Sequence, residues 1–348
     1  MTKEQSQGAK GAATVTSATS PDTVPATTMD RREALVRLLR LAGISTGVAA
    51  AGYWLSAQSV RPSDALVVGA RRSHTVAVDP ALPEMAVIQG GEPRELVQRA
   101  LQELGGIRRF VSRTDVVIVK PNIAWDRTPE QAANTNPAVV EEVVRQCWEA
   151  GAKKVIVTDV SCNDPRRCFQ RSGIADAARN AGAEVLLPEL SKFKEVDLGG
   201  DVLQAWPVFQ PFLEADKIIN LPIAKHHSLT GATLGMKNWY GILGGQRHRL
   251  HQRIHESLVD LADFMRPTLT LMDAYRVLVR NGPTGGNLED VLLKKTLVAS
   301  TDPVALDAYV AKAYWDLNVS ALPYLKMASE RGLGTAEFDK LRTKVVKL

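Results

Sequence analysis

Three consecutive segments, "DVVIVKPNI" (115–123), "NPAVVEEVVRQCWEAGA" (136–152) and "KKVIVTDVS" (153–161), decide how this chain is read. The first is a near-continuous apolar run, the pattern of a strand buried on both faces. The second opens with Asn136 as a helix cap and Pro137 at the first helical position, ahead of an apolar stripe at Val139, Val140, Val143 and Val144. The third is a second apolar strand. The same alternation continues on either side. Strands are expected at 84–90, 184–189, 216–222, 268–274 and 295–300, and helices at 93–106, 173–183, 248–264 and 302–315. The stretch 190–215, with Pro207 and Pro211, looks like an excursion from the sheet. The expected fold is α/β, a mostly parallel sheet with helices on both faces.

Composition narrows the class. Hydrophobic content of 45% and charged content of 23% are those of an ordinary globular protein. Residues 1–57 carry six basic and four acidic residues, leaving 37 against 34 elsewhere. That balance, without a basic stripe interleaved with aromatics, argues against a nucleic-acid partner. The first thirty residues are rich in Ser, Thr and Ala, and their composition cannot build a core. Arg31-Arg32 then precedes a weakly apolar run from Leu41 to Leu55, short for a membrane span but sized for a signal peptide. This pattern resembles a twin-arginine signal. The expectation is export in the folded state to the periplasm or another extracytoplasmic space, with the twin-arginine machinery as a partner. Membrane contact would then come only through the N-terminal segment, if it is retained; a short amphipathic helix is the competing reading. The expected organisation is an N-terminal signal region (1–57), a linker (58–84), an α/β domain (85–320) and a C-terminal tail (321–348).

In parallel sheets ligands bind beyond the C-terminal ends of the strands. Lys120, Pro121 and Asn122 end one strand and Asp159 and Ser161 another. Pro222, Lys225, His226 and His227 follow a third, and Asp273 ends a fourth. "TLGMKNWYG" (233–241) adds Lys237 and Asn238, a charge and an amide flanked by Gly235 and Gly241. At about 100° per residue along a helix 248–264, His248, His251 and His255 fall on the shoulder between core and solvent. Arg249, Arg253, Glu256 and Asp260 would then face solvent.

Three readings of the histidine-rich segment stay open: a metal site, an anion site fed by Arg247 and Lys237, or a polar shoulder without a ligand. A divalent metal is thus a candidate cofactor, with His226, His251 and His255 as candidate ligands. "STDPVALD" (300–307) reads as structural, with Asp302 as cap and Pro303 in the first turn. "NGPTGG" (281–286) is a connector or a lid hinge. Cys162 and Cys168 bracket a short loop; a disulfide between them, a catalytic thiol at Cys162 and two plain thiols are the alternatives. Three cysteines are too few to ligate an iron–sulfur cluster by protein thiolates alone. P-loop, dinucleotide-fingerprint and nucleophile-elbow patterns do not occur.

"VVIVKPNI" (116–123), "NTNPAVVEEVVRQCWEAGAKKVIVTD" (134–159), "ADKIINLPIAKHHSLTGATLGMKNWYGILG" (215–244), "LMDAYRVLVRNGPTGG" (271–286) and "LVASTDPVALDAYVA" (297–311) occur in that order. Together they resemble the domain of unknown function 362 family over about residues 85–315. Members of that family often carry a ferredoxin-like segment, which implies redox roles. This chain lacks those cysteines, so the implication is weaker here. The expected function is that of an enzyme acting on a small anionic molecule; a binding or accessory protein using the same cleft is the alternative. Lys120, Asp159, His226, Lys237 and Asp273 are the candidate catalytic residues, and Asn122, Asn238, Arg247 and His251 the candidate substrate-binding ones.

Overall fold

The computed structural model describes Val67–Val68 and residues 74–348. The expected signal region lies outside the described residues, as does most of the first part of the linker. Among the described residues, ten strands make the main sheet. They are β1 (Met85–Gln89), β2 (Val116–Pro121), β3 (Lys154–Val157), β4 (Glu184–Val185) and β5 (Lys217–Leu221). β6 (Ile223–His227), β7 (Gly231–Thr233), β8 (Leu269–Leu278), β9 (Val291–Ser300) and β10 (Thr343–Lys347) complete it. The order is β10-β1-β9-β8-β5-β2-β3-β4, with β6 beside β8 and β7 paired to β6.

Neighbours in this order are parallel except where β9 takes part. β9 returns antiparallel to β8 because the connection between them carries no helix to cross the sheet, only turns around Gly282–Gly286 and a 3-10 turn at Leu288–Asp290. The expected mostly parallel α/β sheet is therefore what forms. The excursion at 190–215 supplies Phe193–Asp197 and Ala205–Phe209 to a separate three-stranded sheet with Val67–Val68.

Strand alternation divides the core in two. Val117 and Val119 face one layer, where α1 (Pro93–Glu103), α2 (Pro137–Ala150), α3 (Pro165–Arg171) and α4 (Ile174–Asn180) pack. Ile118 faces the other, covered by α5 (Ile254–Phe264), α6 (Pro303–Trp315) and α7 (Pro323–Glu330). Lys120 continues the Ile118 series, so it lies on the second face at the C-terminal end of β2. Helix ends follow the sequence signals. The Asn136 side chain accepts from the Ala138 amide at 3.0 Å, and Gly151 closes α2 in the left-handed region. Asp302 Oδ1 accepts from the Val304 and Ala305 amides, both at 2.9 Å.

Two expectations fail. Residues 321–348 are not a tail: Tyr324, Leu325 and Ala328 of α7 are buried in the core, and β10 pairs along the whole of β1. The helix is only eight residues long, and Val345 and Val346 are the apolar residues of β10 among lysines, so neither element stands out from the sequence. Nor is 248–264 one helix. Arg247–Arg253 winds as a 3-10 helix and α5 begins only at Ile254. Three residues per turn instead of 3.6 changes the direction of each side chain, so the shoulder geometry computed for a continuous α-helix does not hold. Asp260, expected to face solvent, is buried for a different reason: residues 201–203 of the excursion pack over that side of α5, and its carboxylate accepts from the amides of Asp201, Val202 and Leu203.

Candidate functional site

The ends of β2 and β3 meet in a buried ion pair. Lys120 Nζ lies 2.7 Å from Asp159 Oδ1, and Asp159 Oδ2 accepts from the Ile123 amide at 2.6 Å. Gly241 closes over this pair. A Cβ there would stand 1.8 Å from Asp159 Oδ1 and 2.7 Å from Lys120 Nζ, so only glycine fits.

Beside the pair runs a chain of buried amides. Asn122 Nδ2 donates to Asn238 Oδ1 (3.0 Å), Asn238 Nδ2 to Asn220 Oδ1 (2.8 Å), and Asn220 Nδ2 to the Gly235 carbonyl (3.0 Å). Lys225 enters at the other end, donating to Asn122 Oδ1 at 3.0 Å and to the Ala133 carbonyl at 2.5 Å. Asn238 and Lys237 start a 3-10 helix, Lys237–Ile242. The loop just before it is pinned by Asp307, whose oxygens accept from the Gly235 (2.7 Å) and Met236 (2.9 Å) amides.

These elements line a cavity of about 190 Å³. Asn122, Asp159, Lys225, Lys237, Asn238 and Arg247 reach it, together with Trp125, Cys162, His227, Thr233, Tyr240 and His251. Lys120 sits directly behind Asp159. The Lys237 amine rests over the Tyr240 ring, 4.4 Å from its centre, and no carboxylate, carbonyl or hydroxyl among the described residues accepts a hydrogen bond from it. The Arg247 guanidinium donates to the carbonyls of Val160 (2.7 Å), Tyr240 (3.1 Å) and Ser161 (2.6 Å), so its charge is held in place but not neutralised.

Electrostatics follow from burial and excess positive charge. Burial lowers Lys225 to about 7, opposed by Cys162 and Asp159 and helped by the charges of Lys237 and Lys120. Burial, opposed by the Cys162 thiol and helped by Arg247, lowers Lys237 to about 8. Burial also draws Lys120 downward, against the opposing pull of Asp159. His227 falls to about 3, through burial and then Lys237, and is neutral. Burial lowers His251 as well, with Lys237 contributing. The two rings stack with centres 6.3 Å apart, and their tautomers differ. His227 Nδ1 accepts from the Leu229 amide at 3.1 Å, which leaves the proton on Nε2. His251 Nδ1 lies 3.3 Å from the His248 carbonyl and must donate to it, leaving Nε2 as the basic nitrogen.

Of the residues chosen from sequence, Lys120, Asn122, Asp159, Lys237, Asn238, Arg247 and His251 gather here. His226, Asp273 and His255 do not. Neighbours on a strand point to opposite faces, so His227 takes the cavity side of β6 while His226 Nδ1 accepts from the Gly282 amide at 3.1 Å. Asp273 is spent on the backbone, accepting from the Asn136 (2.7 Å) and Tyr275 (2.9 Å) amides, and burial raises it to about 6. His255 stacks on Tyr324 with ring centres 6.2 Å apart. Of the candidate metal ligands His226, His251 and His255, only His251 thus lines the cavity. No group of three His, Cys, Asp or Glu side chains is placed to hold a metal ion among the described residues.

Lys225 and His227 are cavity residues that the sequence choice passed over. Their signal was the two-residue spacing within "IAKHH" (223–227), which becomes readable once that segment is taken as a strand. Cys162 and Cys168 are both free thiols, not a disulfide.

A family model, Domain of unknown function (DUF362), matches residues 117–312, and the chain belongs to that family. A thylakoid-associated protein of Synechocystis sp. is 27% identical over 242 residues, 67% of this chain and 73% of the relative. The lactate racemase apoprotein of Thermoanaerobacterium thermosaccharolyticum is a distant structural neighbour at 12% identity and a TM-score of 0.36, covering 63% of this chain and 55% of the racemase. A similarity at that level carries no functional argument.

Proposed function

We propose that this DUF362 protein is an enzyme acting on a small anionic molecule held in the Lys225–Lys237–Arg247 cavity. The observation that carries the reading is the Lys237 amine: nearly buried, facing the cavity, and without an acceptor of its own. A buried cation in that situation costs free energy that an anionic ligand would recover. Asp159 is the one carboxylate on the cavity wall among the described residues, and Lys120 already neutralises it. His227 offers an N–H donor and His251 a basic nitrogen, the pair that proton transfer requires.

Thermal-shift titration with inorganic phosphate and simple carboxylates tests the anion site. Saturable stabilisation is expected in the parent chain and its loss in Lys237→Met. No stabilisation by any small anion would remove the reading. A binding protein without turnover is the second reading, favoured by how completely the amide chain and Arg247 are fixed by hydrogen bonds. Once a turnover assay exists, His251→Ala separates the two. It abolishes turnover in an enzyme and leaves anion affinity within a few-fold in a binder.

We also propose export to an extracytoplasmic compartment by the twin-arginine machinery. This rests on Arg31-Arg32 and the run Leu41–Leu55 alone. Replacing both arginines by lysine should retain the chain in the cytoplasm; unchanged export would refute it.

A further inference from the structure

The cavity presents two amines whose surroundings differ, and the difference concerns chemistry rather than charge. Lys225 is committed: its hydrogens go to Asn122 Oδ1 and to the Ala133 carbonyl, leaving one donor for a ligand. Lys120 is tied to Asp159 and lies behind it. Lys237 alone of the three has a nitrogen with no acceptor, set over the apolar face of Tyr240 and open to the cavity. An amine kept from other partners and close to two further cations is in the state that carbonyl chemistry requires.

We propose that Lys237 is a nucleophile that forms an imine with a small 2-oxo acid, a deepening of the anion reading above on which it rests. The carboxylate of such a molecule would take the remaining donor of Lys225 and the uncompensated charge of Arg247. A cavity of about 190 Å³ has room for a small oxo acid.

The step balances within the residues present. The Lys237 lone pair attacks the keto carbon, a C–N bond forms, and the carbonyl π electrons move to oxygen, where the His227 Nε2–H donates a hydrogen bond. His251 Nε2 carries the two amine protons in turn from nitrogen to that oxygen. The C–O bond then breaks, water leaves, and a neutral C=N bond remains. Nothing is oxidised or reduced. The lowering of Lys237 to about 8 agrees with this role, since it supplies an appreciable neutral fraction near neutral pH. The geometry would single out the same lysine without it.

The test is borohydride trapping on the full chain. Pyruvate or glyoxylate is added with sodium borohydride, and the protein is read by intact mass and peptide mapping. One saturable adduct on Lys237 is expected, adding the oxo acid's mass less one oxygen atom. Lactate should compete and leave no adduct. Lys237→Arg, which keeps the charge and the fold, should retain anion-dependent thermal stabilisation yet lose at least nine-tenths of the trapping. Absence of adduct, an adduct on Lys225, or label spread over surface lysines would overturn the imine. Loss of thermal stabilisation by every anion would instead strike the anion site itself, so the two failures are distinguishable.

Discussion

Buried acids and buried amines are treated differently in this molecule. Asp260, Asp273 and Asp307 are each almost fully buried, and each spends both oxygens on backbone amides, Asp260 also pairing with Arg331 at 2.6 Å. These acids act as fixed staples between segments distant in sequence. The three amines at the cavity grade the other way, from Lys120 of β2 with a carboxylate, through Lys225 of β6 with two neutral acceptors, to Lys237 of the following 3-10 helix with none among the described residues. A group that satisfies its neighbours holds the fold; a group left unsatisfied beside a cavity is maintained at a cost, and the cost points to a ligand.

Removing one member of the paired site should have the largest effect. Asp159→Ala strands the Lys120 charge and the Ile123 amide in the interior, and a loss of about 3–5 kcal/mol is expected in urea denaturation. A change under 1 kcal/mol would mean that Lys120 is readily neutralised and that the pair is not what anchors β3 to β2.

Next comes Asp307→Ala. It leaves the Gly235 and Met236 amides without acceptors, at roughly 1–3 kcal/mol each. Because those amides sit just before Lys237, anion affinity should fall too, which isothermal titration would register. Intact affinity in a destabilised protein would show that the staple and the site are independent.

Lys237→Met should have the opposite sign. With no hydrogen bond lost and only the amine's contact with the Tyr240 ring given up, the anion-free protein is expected to gain about 1 kcal/mol, the usual size when a costly functional group is replaced. Destabilisation instead would mean that the amine is structural after all, like the acids.

The gentlest test is pH. Lys225 and Lys237 have folded-state values near 7 and 8, below the ordinary 10.5, so the unfolded chain binds more protons between those values and 10.5. Their contribution to anion-free stability therefore rises with pH across that window. Anion affinity should fall over the same range as Lys237 loses its charge. Asp273 and Asp307, raised to about 6 and about 7, act in reverse between the normal carboxylate range and neutrality. Matching melts and titrations from pH 6 to 10 would show both trends, and parallel rather than opposed trends above pH 8 would break the contrast.

How far the sequence could be read depended on how local the cause was. Asn136, Pro137, Asp302 and Pro303 act on the turn they sit in, so the helices they open were legible. The β2 and β3 ends were legible because apolar runs mark where strands stop. β6 was not: Pro222 separates it from β5, and "KHH" carries no strand signal, so the face of each residue and the choice of His227 over His226 stayed hidden. Asp273 looked catalytic because the apolar run of its strand stops there, yet β8 continues to Leu278 and the Asp273 carboxylate is taken by the start of α2, far away in sequence. The histidine-rich stretch misled through its period, since a 3-10 start cannot be told from an α-helix by composition.

The place of β1 in the sheet has a consequence for how the chain is made. Met85–Ile88 are fully buried, yet among the described residues β1 pairs only with β9 and β10, and Met85 meets Thr343. At about 5–20 residues per second of synthesis, the ribosome delivers β10 on the order of ten to fifty seconds after β1. Until β9 is made, which takes most of that interval, one of the most apolar strands in the protein has neither neighbour. A nascent chain paused anywhere before residue 291 should therefore be a strong client for holding chaperones, and the completed one should not.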